Sequence, residues 1–156
     1  MEILAEKTFS TTLITDETEL DPPKSQIRVN KQAISSFLDG AILECCIAFN
    51  DSYLVFMTDD IPYEDTLRII LLDANYSTLD YASLFWPYST GSFQLNELIQ
   101  PDRVSFQFFG GCEWRVNLYP EKKYFLSFLS EPGGVSRKFG LSHYFRISGN
   151  PLPESE

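Results

Sequence analysis

The sequence lacks the features typical of a membrane protein or a secreted, disulfide-stabilised protein. No apolar run reaches the roughly 18 residues that a membrane helix needs. The first residues have neither the basic start nor the apolar centre of a signal peptide. Three cysteines, an odd number, argue against a disulfide framework. We therefore expect a reduced, cytoplasmic protein with no membrane association.

Catalytic and metal-binding motifs are also missing. The chain has no G-x-S-x-G, no P-loop and no G-x-G-x-x-G. Its one histidine, His143, is expected at the surface or at a strand edge. A Cys₃His zinc set of Cys45, Cys46, Cys112 and His143 is disfavoured, because adjacent strand residues point to opposite faces and no C-x-x-C is present. We predict no metal, no cofactor and no enzymatic activity.

Basic residues are scarce, with 12 against 22 acidic residues and a net charge of −10. This charge repels nucleic acid and anionic membranes and attracts a basic partner, although it also suits ordinary solubility. The acidic residues are unevenly placed. Residues 1–21 hold six of them against one lysine, and residues 51–65 have no basic residue at all beside Asp51, Asp59, Asp60, Glu64 and Asp65.

Aromatic residues, in contrast, are plentiful at 15% of the chain, which favours strands. The stretch 103–128 shows this best, since Val104, Phe106 and Phe108 alternate with polar residues before Gly110-Gly111. Period-two alternation continues after the two glycines, at residues 112–118. Because glycine adopts positive φ without a Cβ clash, the pattern predicts a hairpin with one aromatic face.

Two more hairpins are predicted, at 41–58 and 67–84. Both arms of the first are apolar at nearly every position, which indicates a central position in a sheet covered on both faces. One α-helix is predicted at about residues 31–39. Asn30 is suited to be its N-cap, apolar residues at 33, 34, 37 and 38 follow helical spacing, and Gly40 is suited to end it.

The sequence therefore predicts a mainly β fold. One domain, residues 1–148, is built from hairpins whose antiparallel sheet curls into a barrel or a sandwich, with one short α-helix. Residues 149–156 are expected to form an acidic, flexible tail.

The candidate contact surface combines carboxylates with aromatic rings. Trp86 and Tyr88 lie in an aromatic loop, which has the alternative role of covering one end of the core, and Tyr63 lies among acidic residues. Such a set suits a Lys/Arg-rich surface, because it offers ion pairs and cation–π contacts. The predicted partner-binding residues are Asp59, Asp60, Tyr63, Glu64, Asp65, Trp86 and Tyr88.

In these properties the chain resembles bacterial immunity proteins, which protect a cell against toxins. The resemblance is one of type: a small, acidic, aromatic-rich, cytoplasmic single domain, with Asp59-Asp60-Ile61-Pro62-Tyr63-Glu64-Asp65 as the segment most similar in character. It implies an acidic face that occludes the active site of a basic toxin, often a nuclease. No residue roles carry over from it.

Two alternatives remain open at this point. A lipocalin-like barrel could bind a small ligand, or act as an enzyme, with the aromatic face lining its pocket. The large residues predicted on both sides of the sheet instead suggest a filled core. The third possibility is a subunit of a larger assembly.

Overall fold

The computed structural model describes residues 1–138 and 140–152, and antiparallel strands form most of it. The only helix in these ranges is the single turn α1 (Ser127–Ser130). The strands are β1 (Glu2–Ile3), β2 (Phe9–Thr15), β3 (Lys24–Val29), β4 (Gln32–Asp39), β5 (Ile42–Phe49), β6 (Ser52–Thr58), β7 (Leu67–Leu72), β8 (Thr78–Leu84), β9 (Gln94–Ile99), β10 (Arg103–Gln107), β11 (Trp114–Tyr124), β12 (Val135–Arg137) and β13 (Ser142–Ser148). The mainly β prediction is confirmed.

The strands form three sheets stacked as layers. The central sheet has six strands in the order β1-β5-β6-β7-β8-β12. A four-stranded sheet, β13-β11-β10-β9, covers one face, and a three-stranded sheet, β2-β3-β4, covers the other. None of the three closes into a barrel within the described residues, so of the two predicted arrangements the sandwich is the one observed.

Strand periodicity explains how one sheet supplies two cores. Along β6, Leu54 and Phe56 pack into the core shared with the four-stranded sheet. Their neighbours Val55 and Met57 pack into the core shared with the three-stranded sheet. Successive side chains of a strand point to opposite faces, so a run that is apolar at every position suits a sheet covered on both sides. The expectation for the hairpin at 41–58 is confirmed.

The helix predicted at 31–39 is wrong, because residues 32–39 form strand β4 and Lys31 lies in the turn before it. Asn30 and Lys31 adopt positive φ angles of 50° and 68° and make a tight turn between β3 and β4. Asn30 is therefore a turn residue and not an N-cap. Ile34 and Leu38 are four residues apart, a spacing that places two side chains on one face of a helix and also on one face of a strand.

The glycine-centred hairpin is present, but its connection is longer than a two-residue turn. Strand β10 ends at Gln107 and β11 begins at Trp114, and Gly110 and Gly111 have φ angles of 81° and 59° in the loop between them. Part of the expected tail packs on this loop, since the Leu152 N–H donates to the Gly110 carbonyl at 2.9 Å. The rest of that tail, residues 153–156, lies outside the described residues.

Candidate functional site

One end of the central sheet gathers most of the predicted contact residues. Its edge is a row of residues paired across five strands: Ile42, Thr58, Leu67, Leu84 and Val135. Three connections emerge beyond this row, at 59–66, 85–93 and 131–134. We call this the loop end of the molecule. The register of the sheet therefore places segments that are distant in sequence side by side.

Two of the predicted contact carboxylates, Asp59 and Asp65, form internal hydrogen bonds that stabilise the 59–66 loop. Asp59 is buried, and its carboxylate accepts hydrogen bonds from Arg68 Nε at 2.9 Å and Arg68 Nη2 at 2.6 Å. Asp65 Oδ1 accepts the backbone N–H groups of Asp59 and Thr66 at 2.9 and 2.8 Å. Burial raises the pKa of Asp65 and outweighs these hydrogen bonds, which lower it. Both carboxylates therefore stabilise the conformation of the loop.

The other predicted contact residues of the 59–66 loop are partly or fully exposed to solvent. Asp60 is exposed and adopts a positive φ of 61°, and the Tyr63 side chain is 77% exposed. The Tyr88 N–H donates to Glu64 Oε1 at 3.0 Å, and Tyr88 is itself 87% exposed. This hydrogen bond joins the two segments singled out from the sequence. Exposed aromatic rings and carboxylates consequently share one surface.

Trp86 belongs to the same 85–93 loop as Tyr88 and lines a pocket. The pocket has a cavity volume of about 380 Å³. The buried Ser89 hydroxyl, in its wall, has no hydrogen-bond partner among the residues described. The lining residues, all uncharged, are Trp86, Ser89, Phe109, Pro132, Gly133, Gly149, Asn150, Pro151 and Leu152.

A second acidic loop reaches the same end and was not among the predicted contact residues. It connects β2 to β3 and exposes Asp16, Glu17, Glu19 and Asp21, together with the nearly fully exposed Leu20. Two backbone hydrogen bonds place it there. The Gly40 N–H donates to the Pro23 carbonyl and the Ala41 N–H to the Thr58 carbonyl, both at 2.8 Å. The sequence shows the charge of this loop, but only strand pairing brings it to the end of the molecule where residues 59–66 lie.

The cationic side chains close to the loop end are held by internal partners. Arg68 binds Asp59, as above, while Lys24 and Lys138 both bind the buried carboxylate of Asp39. Burial would raise the pKa of Asp39, but its hydrogen bonds and charge interactions with the two lysines prevail and lower it. Asp39 neutralises only one of the two half-exposed lysines, but the exposed carboxylates of the two acidic loops outnumber the positive charge that remains.

A buried charged cluster lies beside the pocket and includes the single histidine. His143 is buried, contrary to the expected surface or edge position, and its Nδ1 lies 3.1 Å from Asp80 Oδ1. Arg137 also contacts Asp80 and binds Glu131 through two contacts of 3.0 Å each. Since the imidazole is shielded from solvent and joins β13 to β8, its contacts stabilise the packing of two sheets.

The cysteines are packed as separate apolar residues. Cys45 contacts the core on one face of the central sheet and Cys46 the core on the other, as expected for neighbours in a strand. Burial raises the pKa of the Cys45 thiol to about 12 and raises that of Cys46 as well. In the described ranges, no group of three or more His, Cys, Asp or Glu residues is arranged to hold a metal ion.

No helix in the described part of the chain is long and apolar enough to cross a bilayer. Comparison with known proteins finds no matching family model, no similar curated protein and no similar solved structure.

Proposed function

We propose that the protein is a non-catalytic binding protein whose loop end holds a basic protein partner. The type we favour is a bacterial immunity protein that works in the cytoplasm and inhibits a basic toxin, such as a nuclease, by covering its active site. Three free cysteines, two of them in apolar strands, suit the reducing environment of that compartment.

The observation that carries this proposal is the meeting of two acidic loops at one end of the central sheet. The loops come from sequence positions some 40 residues apart, yet hydrogen bonds through Gly40 and Ala41 bring them to the same edge. Nearby Lys24, Arg68 and Lys138 are bound to internal carboxylates. A negative field of this kind accelerates the approach of a positively charged surface.

The exposed aromatic side chains supply the second element of an interface. Tyr63, Tyr88 and Trp86 offer large, rigid contact areas, and such side chains dominate the binding energy of many protein interfaces. We leave out Asp59 and Asp65, because their carboxylates form hydrogen bonds within the protein. The proposed contact residues are then Asp60, Glu64 and the three aromatic residues. The acidic loop at 16–21 joins them.

The lipocalin-like alternative is less well supported. Its ligand would occupy the interior of a barrel, whereas the central sheet here is open and packed on both faces. Phe56, Phe106 and Trp114, among the largest fully buried side chains, occupy the space between the two larger sheets. These packed side chains fill the space that such a ligand would occupy between the two sheets.

The test measures the binding of cationic proteins encoded beside the gene for this chain. We expect a Kd that weakens steeply as salt rises, because exposed charge pairs are screened. A variant carrying Asp16→Lys, Glu17→Lys, Glu19→Lys and Asp60→Lys should weaken binding by about tenfold or more at low salt, mainly through a slower association rate.

A matched control variant distinguishes the effect of charge at the two loops from the effect of the overall net charge on binding. Reversing four exposed acidic residues outside the two loops, Glu2, Asp51, Glu97 and Glu121, changes the net charge by the same amount. This control should retain most of the affinity. Equal losses in both variants would show that only overall charge matters, and unchanged binding by the loop variant would contradict the proposed surface.

A further inference from the structure

The pocket beside Trp86 has the composition of an anchor site for an apolar side chain. The rings of Trp86 and Phe109 and the side chains of Pro132, Pro151 and Leu152 form most of its lining, and none of the lining residues is charged. Its volume of about 380 Å³ lies within the range of pockets that bind small organic groups. An aromatic or aliphatic side chain is therefore a suitable occupant.

The position of the pocket indicates what surrounds that side chain. The loop that carries Trp86 also carries Tyr88, whose backbone is hydrogen-bonded to Glu64. Asp60 lies in the same 59–66 loop, and the acidic loop at 16–21 reaches the same edge. The neutral pocket therefore lies at the end of the central sheet that also carries the exposed carboxylates, and Glu64 is hydrogen-bonded to the loop that carries Trp86. Interfaces often place an apolar anchor in a central pocket with charged contacts around it.

We propose that the pocket receives one aromatic side chain from a Lys/Arg-rich segment of the basic partner. The flanking cations of that segment lie over Asp60 and the acidic loop at 16–21. Charge complementarity selects this occupant, because the carboxylates at the same end of the sheet disfavour an acidic segment. This inference rests on the proposed function and adds the chemistry of the segment that is recognised.

Gly133 provides a way to fill the pocket without removing an existing contact. It is exposed, and a Cβ added to it would lie 3.5 Å from Trp86 Cζ3, at ordinary van der Waals distance. Its φ lies outside the left-handed region, so a larger residue is tolerated there. Gly133→Leu should therefore occupy the space beside Trp86. Leu152→Ser, at an exposed lining residue, is a second variant that leaves the backbone contacts in place.

The experiment uses two synthetic pentapeptides with blocked ends. One has a phenylalanine between two pairs of lysines, and the other has alanine in its place. At low salt we expect the phenylalanine peptide to bind the full chain about tenfold more tightly, because only it buries an aromatic ring. It should also shift the NMR signal of the Trp86 indole N–H. Gly133→Leu should abolish the difference between the peptides, and Leu152→Ser should reduce it.

The outcomes separate the pocket from the acidic surface. Equal affinity of the two peptides, with binding lost in the four-site charge-reversal variant, would overturn the anchor pocket and leave the proposed function standing. Affinity unaffected by charge reversal would overturn both, as would no binding of either peptide. A dimer of the chain that dissociates in Gly133→Leu would assign the pocket to a second copy and overturn the proposal.

Discussion

Replacing Arg137 by methionine tests how the structure holds the pocket wall. Its guanidinium contacts Glu131 at 3.0 Å through Nε and Nη2, Asp80 at 3.2 Å through Nη1, and the Phe145 carbonyl at 2.7 Å. Glu131 precedes Pro132 and Gly133 of the pocket and also accepts the Ile147 N–H at 3.0 Å. Arg137→Met removes the cation and leaves two buried carboxylates without it.

The expected loss of stability follows from the burial of the ion pair between Arg137 and Glu131. The side chains of Arg137 and Glu131 are 4% and 1% exposed, and breaking a buried pair by removing one partner costs about 3–5 kcal/mol. Arg115 and Glu113 form an ion pair of the same 3.0 Å length, but their side chains are 47% and 44% exposed. Arg115→Met should therefore cost less than about 1 kcal/mol, because exposed ion pairs contribute little.

Denaturant unfolding and thermal melts of the two variants provide the assay. For a chain of this size, about 3–5 kcal/mol corresponds to a fall in Tm of roughly 6–20 °C. Adding Glu131→Gln to Arg137→Met should recover part of the loss, because it removes one of the uncompensated charges while keeping an acceptor for the Ile147 N–H. This account of the cluster is refuted if Arg137→Met and Arg115→Met lose the same stability, or if adding Glu131→Gln to Arg137→Met lowers the stability further.

Two further predictions concern residues near the loop end. Asp39→Asn should cost about 1–2 kcal/mol at pH 7, because a carboxylate with a lowered pKa stabilises the fold above its ordinary value of 3.8. The difference from wild type should vanish as pH falls through the folded pKa, and a constant difference in acid titrations would argue against the lysine contacts. Gly40→Ala should lower the free energy of unfolding by more than about 1 kcal/mol, because the φ of Gly40 is 123° and the new Cβ would lie 2.6 Å from Met57 Cβ. Gly133→Ala should be nearly neutral in the same urea unfolding measurement. Equal effects of the two glycine substitutions would contradict the backbone argument.

Local patterns in the sequence were sufficient to predict three of the hairpins, those that pair β5 with β6, β7 with β8 and β10 with β11. Strand β7 has the predicted bounds, 67–72, because leucines and isoleucines, interrupted only by Arg68, lie between turn-forming residues. The failure at β4 has a local cause too. A four-residue spacing of apolar side chains suits both a helix and a strand, and the left-handed conformations of Asn30 and Lys31 decide in favour of the strand.

The candidate site was less accessible to sequence reasoning. Asp59 and Asp60 are adjacent and chemically identical, but one is buried against Arg68 and the other is exposed. His143, alone in the sequence, gave no indication that Asp80, some 60 residues away, would bury it in a charged cluster. The proposed partner contacts remain a prediction that the binding experiments address.

The sequence by itself determined the excess of negative charge and the alternating strands, because these depend on composition and on near neighbours. Only the tertiary structure decided which carboxylates are exposed and where they meet. Strand register sets those positions, since it aligns Ile42, Thr58, Leu67, Leu84 and Val135 in one row and so brings loops from distant parts of the chain to a common edge.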